Sequence, residues 1–262
     1  MKDCPGALAD LNRILTIDPN NAAAYRGRAL VRDQQGDWSG ALADYTRSIE
    51  LDPRVSASYD GRGSVREEQG DTPGAIADFT QALQVDPSNA VASFNRGLAR
   101  QKLGDTDEAL ADFNRTLELD PHHPSACNAR AWLRYLKRDL TGAVTDATRA
   151  VQLDPAYGHA YGTRGWARYA QGDIPGATAD LKKAVELDRP GSREILLNQG
   201  MLNFIAGDFR AAMASWQQAL PGNVEIRSEL SVWIDRARVN QQAKLQSAAW
   251  AEQGSRSPHL QY

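Results

Sequence analysis

The chain has 262 residues, of which 42% are hydrophobic and 24% are charged, and its formal net charge is −3. A charge this close to balance argues against a general nucleic-acid-binding surface, and no apolar run approaches the roughly 18 residues of a membrane span. The charge is uneven, since residues 1–123 carry −7 and residues 124–262 carry +4, so we expect the two halves to contact different parts of a partner.

A 34-residue stretch, Ala90–His123, is repeated along most of the chain. A Gly-Asp pair marks its middle and an Asp-Pro pair its end, and both pairs recur in step. The central pairs are Gly36-Asp37, Gly70-Asp71, Gly104-Asp105, Arg138-Asp139, Gly172-Asp173 and Gly207-Asp208. The terminal pairs are Asp18-Pro19, Asp52-Pro53, Asp86-Pro87, Asp120-Pro121 and Asp154-Pro155. A fixed period of this length predicts stacked structural repeats.

Each repeat is predicted to be a pair of helices. The first helix of the Ala90–His123 repeat ends at Gly104, because glycine is a poor helix interior and a good stop. Asp105 or Thr106 can cap the second helix, whose apolar residues follow helical spacing. Pro121 ends it, since proline cannot continue a helix.

The repeat resembles the tetratricopeptide repeat, on small and aromatic residues at matching places. In the Ala90–His123 unit these are Gly97, Ala109, Phe113 and Pro121. Small residues let paired helices approach closely, and the aromatic ring fills the space beside them. The resemblance implies an all-α fold, a right-handed α-solenoid of 34-residue helix-turn-helix repeats, with a capping helix at the C-terminal end.

In chain order, residues 5–21 are predicted to be a half repeat with only a second helix, and residues 22–222 six repeats. Residues 223–253 then form a capping helix, with Leu230, Trp233 and Ala237 at three-four spacing, and residues 254–262 a mobile tail. The half repeat leaves an apolar edge. The chain is therefore cut from something longer, or another element covers the edge, or the edge pairs with a second copy to give a homo-oligomer.

An arginine and an aspartate recur at fixed places in five repeats and predict internal ion pairs. The residues are Arg28, Arg62, Arg96, Arg130 and Arg164 in the first helices, and Asp44, Asp78, Asp112, Asp146 and Asp180 in the second. Both types change together in the sixth repeat, to Gln199 and Ser215, which indicates contact within one repeat. We expect a structural salt bridge in each repeat rather than a charged binding ladder.

The resemblance also implies that the first helices line a concave groove. The groove residues expected near the N-terminus are acidic: Asp33, Asp60, Glu67 and Glu68. Those expected near the C-terminus are aromatic and apolar: Trp132, Tyr135, Leu136, Trp166, Tyr169, Met201 and Phe204. Large aromatic residues on such a face need a cover. A peptide or helix of a partner would provide one, the chain's own C-terminal helix another, and as a third alternative these are ordinary core residues.

The sequence contains no recognisable catalytic motif, metal-ligand spacing or phosphate-binding loop, so no cofactor and no metal are expected. Cys4 and Cys127 lie more than three repeats apart, too far for a disulfide. The N-terminal residues lack a signal-peptide core, which favours the cytoplasm.

We therefore expect a non-catalytic scaffold that binds a protein or peptide segment, with no nucleic acid and no membrane insertion. The alternatives are the substrate-recruiting arm of a larger enzyme, such as a glycosyltransferase, and a self-assembling scaffold.

Overall fold

The computed structural model describes the backbone of residues 4–189, 191–219 and 224–255, and the side chains of residues 6–189, 191–219 and 230–247. All regular secondary structure in these residues is α-helical. The helices are α1 (Cys4–Ile17), α2 (Ala22–Gln34), α3 (Trp38–Leu51), α4 (Ser56–Glu68), α5 (Thr72–Val85), α6 (Ala90–Leu103), α7 (Thr106–Leu119), α8 (Pro124–Leu136), α9 (Leu140–Leu153), α10 (Gly158–Gln171), α11 (Ile174–Leu187), α12 (Arg193–Ile205), α13 (Phe209–Ala219) and α14 (Val224–Ser255). The predicted all-α class of helix pairs is confirmed.

The second helices begin at the aspartate of each central pair. Asp71 accepts a hydrogen bond from the Gly74 amide at 3.0 Å, and Asp37, Asp139 and Asp173 make the same cap. A Cβ at Gly74 would collide with the Asp71 carboxylate. In α7 Glu108 occupies the glycine's place, and Asp105 makes no side-chain cap bond. Of the two predicted capping residues, Asp105 and Thr106, Asp105 is the residue before the helix, but its side chain makes no capping hydrogen bond.

The first helices end where the backbone turns left-handed. Gly104 has φ of 87°, and Gly36, Gly70, Gly172 and Gly207 have similar values. Arg138, which replaces glycine in the fourth repeat, adopts the same conformation with φ of 65°. An L-residue is strained in this region, because its Cβ crowds the following carbonyl oxygen. The turn geometry is therefore kept even without the glycine.

Helices α3, α5, α7 and α9 each end two residues before a proline. Asp52, Asp86, Asp120 and Asp154 are extended, as the following proline requires. The repeated stop gives second helices of equal length, so that equivalent residues of successive repeats meet equivalent neighbours.

The helices form two compact units, Met1–Arg130 and Ala131–Tyr262, with the boundary inside α8. In the first unit, Tyr45 and Phe79 are buried among alanines, and Phe79 and Phe113 lie against Gly63 and Gly97. A Cβ at Gly63 or Gly97 would overlap the ring, which is why small residues occur there. In the second unit the core contains a cluster of aromatic residues around Trp166, Trp216 and Trp233.

Helix α14 is one continuous helix from Val224 to Ser255. Leu230, Trp233, Ile234 and Ala237 are buried in the second unit. Residues 256–262 of the predicted tail lie outside the described residues, as does the side chain of Cys4. Cys127 is buried.

Candidate functional site

The repeated arginines and aspartates lie together as two-point ion pairs. Arg28 donates from Nε and Nη2 to the two carboxylate oxygens of Asp44, at 2.8 and 2.7 Å. The same pairs occur at Arg62–Asp78, Arg96–Asp112 and Arg164–Asp180. Arg130 and Asp146 belong to different units; Arg130 donates to Asn114, and Asp146 accepts from Arg134. The aspartates are all buried.

A second arginine on each aspartate was missed by the sequence reasoning. Arg32 Nη1 donates to Asp44 Oδ2 at 2.7 Å, one helical turn after Arg28. The equivalent bonds are Arg66–Asp78, Arg100–Asp112, Arg134–Asp146 and Arg168–Asp180. The signal was present, because these arginines also recur every 34 residues. Two cations on one carboxylate satisfy more of its acceptor sites than one can.

The first arginine also connects successive repeats. The Nη1 of Arg62 donates to Thr46 Oγ1 of the preceding repeat at 3.2 Å. The corresponding acceptors are Asn12, Asn114, Thr80 and Thr148. At this place in the fifth repeat stands Lys182, and the sixth repeat has Gln199 instead of arginine. The fifth repeat therefore lacks the acceptor side chain, and the sixth repeat lacks the arginine that would donate to it. Gln199 donates instead to Asn203 at 3.2 Å.

The predicted aromatic groove residues belong to the core of the second unit. Tyr135, Trp166, Met201 and Phe204 are 2%, 6%, 0% and 7% exposed. Trp132, Leu136 and Tyr169 are partly buried and pack against the same cluster. If these side chains faced solvent they would be exposed, but in the structure other side chains cover them.

The cover is α14. The Trp233 ring lies 5.9 Å from that of Trp166, 5.5 Å from Tyr169 and 5.4 Å from Phe204, measured between centroids. Edge-to-face contacts of this kind stabilise aromatic clusters beyond the area they bury. For Trp166, Tyr169 and Phe204 the chain's own C-terminal helix is therefore in contact, as in the second of the alternatives above, and the remaining residues pack in the core of the second unit.

An open cleft of about 500 Å³ remains beside α14. It is lined by Tyr169, Gly172, Val232, Trp233 and Arg236, among others. The Arg236 guanidinium lies over the Trp233 ring, 4.8 Å from its centroid, and Arg138 contributes a second cation to the lining.

The acidic residues of the first unit lie on the first helices α2 and α4. Asp60 accepts a hydrogen bond from Asn95 at 3.2 Å, and Glu67 pairs with Lys102. Burial raises the pKa of Asp60. Burial, and then the neighbouring charge of Glu68, raises the pKa of Asp33.

Tyr45 of α3 is buried. Burial, followed by the charges of Asp33 and Asp60, raises its pKa to about 12. Burial, which disfavours the charged form of a group, is the largest cause of all three shifts. A cation brought to this face would be stabilised.

Exposed apolar side chains accompany the acids. Leu30 of α2 and Leu98 of α6 are 49% and 42% exposed. They are at equivalent places in their repeats, the ninth residue. This face is called the acidic face below, defined by Leu30, Asp33, Asp60, Glu67, Glu68 and Leu98.

The described residues contain neither a candidate metal cluster nor a candidate membrane span. No group of three or more His, Cys, Asp or Glu side chains there could hold a metal ion. None of the helices described is long and apolar enough to span a bilayer.

Similar crystal structures share this fold. YrrB, a TPR protein with an unusual peptide-binding site, matches with a TM-score of 0.61 at 21% identity over 76% of this chain and 97% of YrrB. A tetratricopeptide repeat protein from Parabacteroides merdae matches with 0.65 at 21% identity, over 90% and 93%. PilW, a type IV pilus biogenesis factor, matches with 0.64 at 19% identity, over 80% and 98%. At these identities the likeness shows the fold alone.

Family models give the sequence side of the same comparison. Models described as tetratricopeptide repeat match residues 1–60, 90–123 and 163–225, and one described as TPR repeat matches residues 63–104. No curated protein sequence matches the chain. The matches and the structural neighbours together support a protein-interaction scaffold in general terms. With helix pairs in the 34-residue register and family matches along most of its length, the chain belongs to the tetratricopeptide repeat family.

Proposed function

We propose that the acidic face binds a segment of another protein that carries both basic and apolar side chains, and that the chain acts there as a non-catalytic scaffold. The observation that supports this most directly is the exposure of Leu30 and Leu98, 49% and 42%, on helices that neighbour those carrying Asp33, Asp60, Glu67 and Glu68. Burial raises the pKa of Asp33 and of Asp60, in keeping with a place for a cation beside these carboxylates.

A cationic side chain from a partner would stabilise the charged form of these carboxylates. Asp33 is disfavoured as an anion by burial and by Glu68, so one lysine or arginine placed between them interacts favourably with both. At a protein surface an ion pair at about 4 Å has a Coulomb energy of roughly 4 kcal/mol, of which desolvation cancels a large part. The net gain favours basic over neutral partners and sets specificity and association rate more than affinity.

The apolar component of the partner would contact Leu30 and Leu98. Their exposure on the same face as the acids gives a mixed surface, on which leucine-sized side chains bury area while lysines reach the carboxylates. The aromatic residues of the second unit are not assigned to this partner, because α14 covers them.

The test is fluorescence anisotropy with a labelled nine-residue peptide of alternating Lys, Leu and Ser. Its counterparts carry Glu for every Lys, or Ser for every Leu. We expect saturable binding of the first peptide and at least tenfold weaker binding of both counterparts. Asp33→Asn with Asp60→Asn should weaken the Lys–Leu peptide at least tenfold.

The matched control is Glu50→Gln with Glu118→Gln, which removes the same charge from exposed positions on second helices. This variant should bind as the wild type does. Equal loss in both variants would mean a non-specific charge effect, and an absence of saturable binding to the Lys–Leu peptide would rule out the proposed partner class.

A further inference from the structure

The cleft of about 500 Å³ in the second unit carries positive charge. Arg138 and Arg236 contribute to its lining, together with the apolar and aromatic side chains of Tyr169, Ile174 and Trp233. Within the described part of the chain no acidic side chain belongs to this lining. Its volume is in the range of ligand-binding clefts, roughly 300–1,000 Å³. The cleft therefore combines unbalanced positive charge with apolar surface in one place.

Arg138 contributes to the cleft from a backbone conformation that is unfavourable for it. Its φ of 65° lies in the left-handed region, which glycine occupies at this place in the other five repeats. The Cβ of an L-residue is crowded there. The Arg138 guanidinium makes no hydrogen bond or ion pair with any residue that the structure describes, so no such contact offsets the strain. Strained residues are concentrated at functional sites, where a ligand uses the side chain.

Arg236 is an exposed arginine that is held in place by an aromatic ring. Its guanidinium lies over the Trp233 ring, 4.8 Å from the centroid. A guanidinium against the face of a ring keeps its in-plane N–H groups for an acceptor. Among the described residues none accepts a hydrogen bond from Arg236 or forms an ion pair with it. A ligand would therefore meet a positioned cation with unused donors.

The aspartates nearest in sequence to the cleft residues have other partners. Asp139 and Asp173 each accept a hydrogen bond from the backbone amide three residues further on, at 2.9 Å, and so cap α9 and α11. Asp235 accepts one from Arg238, also at 2.9 Å. None of these three aspartates lines the cleft. The anion that balances the two arginines must therefore come from a ligand.

We propose that this cleft binds a phosphorylated side chain of another protein, with the phosphate on Arg138 and Arg236 and neighbouring apolar side chains on Ile174 and Val232. A phosphate monoester carries close to two negative charges at pH 7 and three acceptor oxygens, which suit two guanidinium groups. A carboxylate supplies only one charge. Ile174 and Val232 are 39% and 55% exposed and offer the apolar contact.

The source of the phosphate is assigned to a protein segment because the family matches support a protein-interaction scaffold in general terms. The positive charge of residues 124–262, +4 in total, favours an anionic segment over a basic one. The cleft residues belong to the second unit, whereas the acidic face belongs to the first. This proposal therefore does not depend on the function proposed for the acidic face.

The probe is a labelled peptide, Ser-Gly-Leu-phosphoserine-Leu-Gly-Ser, whose binding to the full chain is measured by fluorescence anisotropy. Its two counterparts carry serine or glutamate in place of phosphoserine. We expect saturable binding of the phosphopeptide and at least tenfold weaker binding of both counterparts. Charge-assisted hydrogen bonds are strong enough to give a change of this size.

Variants of the protein locate the binding and separate it from folding. Arg138→Gly should weaken the phosphopeptide at least tenfold and yet raise the melting temperature, because glycine relieves the backbone strain. Arg236→Gln should weaken it by a similar factor with an unchanged circular dichroism spectrum, since Arg236 is exposed. The matched control is Arg149→Gln, which removes an exposed arginine of α9 outside the cleft and should bind as the wild type does.

Four results would overturn the proposal. They are the absence of saturable binding, equal binding of the phosphoserine and glutamate peptides, binding that neither cleft variant weakens, and an equal loss in Arg149→Gln. Competition then identifies the source of the phosphate. Displacement of the peptide by an equal concentration of inorganic phosphate would mean a site for the free ion. Tighter binding to vesicles that contain phosphatidic acid would mean a membrane surface, and either outcome would overturn the protein segment as the occupant.

Discussion

The indole ring of Trp233 in α14 stands edge-on to that of Trp166 in α10, with 5.9 Å between centroids and 82° between planes. This contact joins the C-terminal helix to a first helix of a repeat. It converts residues that would face solvent in an open array into the interior of the second unit. The contact also makes the aromatic surface unavailable to a partner while α14 is in place.

Replacing Trp233 with alanine should destabilise the second unit by about 3–5 kcal/mol, because a buried aromatic side chain is removed from contact with Trp166, Tyr169 and Phe204. Urea unfolding measures this loss. When phenylalanine replaces the other tryptophans, the emission of Trp166 should lie further to the red with alanine than with phenylalanine in place of Trp233. Val232→Ala, on the exposed side of the same helix, should change stability by less than about 0.5 kcal/mol.

Variants of Arg96 and Arg100 should show how strongly each arginine is coupled energetically to Asp112. Arg96→Leu is expected to cost about 2–3 kcal/mol, less than a fully unpaired aspartate would, because Arg100 still binds Asp112. Double-mutant cycles with Asp112→Leu should give a coupling energy of about 1–3 kcal/mol for each arginine. Arg115 and Glu118, an exposed pair, provide the control cycle, with a coupling of at most about 0.5 kcal/mol. Additive cycles at Asp112 would contradict the shared ion pair.

The caps of α5 and α7 should differ in strength. Asp71→Ala removes a cap bond to Gly74 and is expected to cost about 1–2 kcal/mol. Asp105→Ala removes no cap bond and should cost less than half as much, through the helix dipole alone. Thermal unfolding of the two variants against the wild type checks the difference. Equal costs would show that the hydrogen bond to Gly74 adds nothing.

Replacing Arg138 with glycine should stabilise the protein. Its φ of 65° strains an L-residue, and Arg138→Gly removes this strain at the cost of a more flexible unfolded chain. We expect a net gain of roughly 0.5–1 kcal/mol in chemical unfolding. Arg138→Ala keeps the strain and tests whether the side chain matters, so it should not be stabilising.

The stability contribution of Asp60 should depend on pH in a defined direction. Its folded-state pKa is raised by burial, so folding favours the protonated form, and stability falls as pH rises from the unfolded pKa through the folded one. Asp60→Asn should therefore be more stable than wild type at pH 7, by about 1.4 kcal/mol for each unit of pKa displacement. The difference should vanish below the unfolded pKa. Unfolding curves at several pH values measure it, and a constant difference would contradict the assignment.

Much of the fold followed from spacing alone. The recurring Gly-Asp and Asp-Pro pairs placed the helix ends, because glycine, aspartate and proline act on the backbone within a few residues. The spacing of Arg96 and Asp112 suggested a contact for the same reason, since both residues recur in step. Arg100 recurs equally regularly, but a pairing of each aspartate with a single arginine leaves no place for it.

The aromatic residues could not be assigned in this way. Trp166 and Phe204 stand at groove-facing places of their repeats, and nothing in their spacing tells whether solvent, a partner or another helix covers them. The answer depends on where α14 packs, which is set by contacts between residues far apart in sequence, such as Trp233 and Trp166.

The sequence by itself therefore determined the family, the repeat register and the helix pairs, because these depend on local signals repeated every 34 residues. Only the tertiary structure decided that α14 packs on Trp166, Tyr169 and Phe204 and that Asp44, Asp78, Asp112 and Asp180 each bind two arginines. It also decided that Leu30 of α2 and Leu98 of α6 remain exposed. Burial is a property of the packed chain, and a periodic sequence states which residues are equivalent without stating which of them are covered.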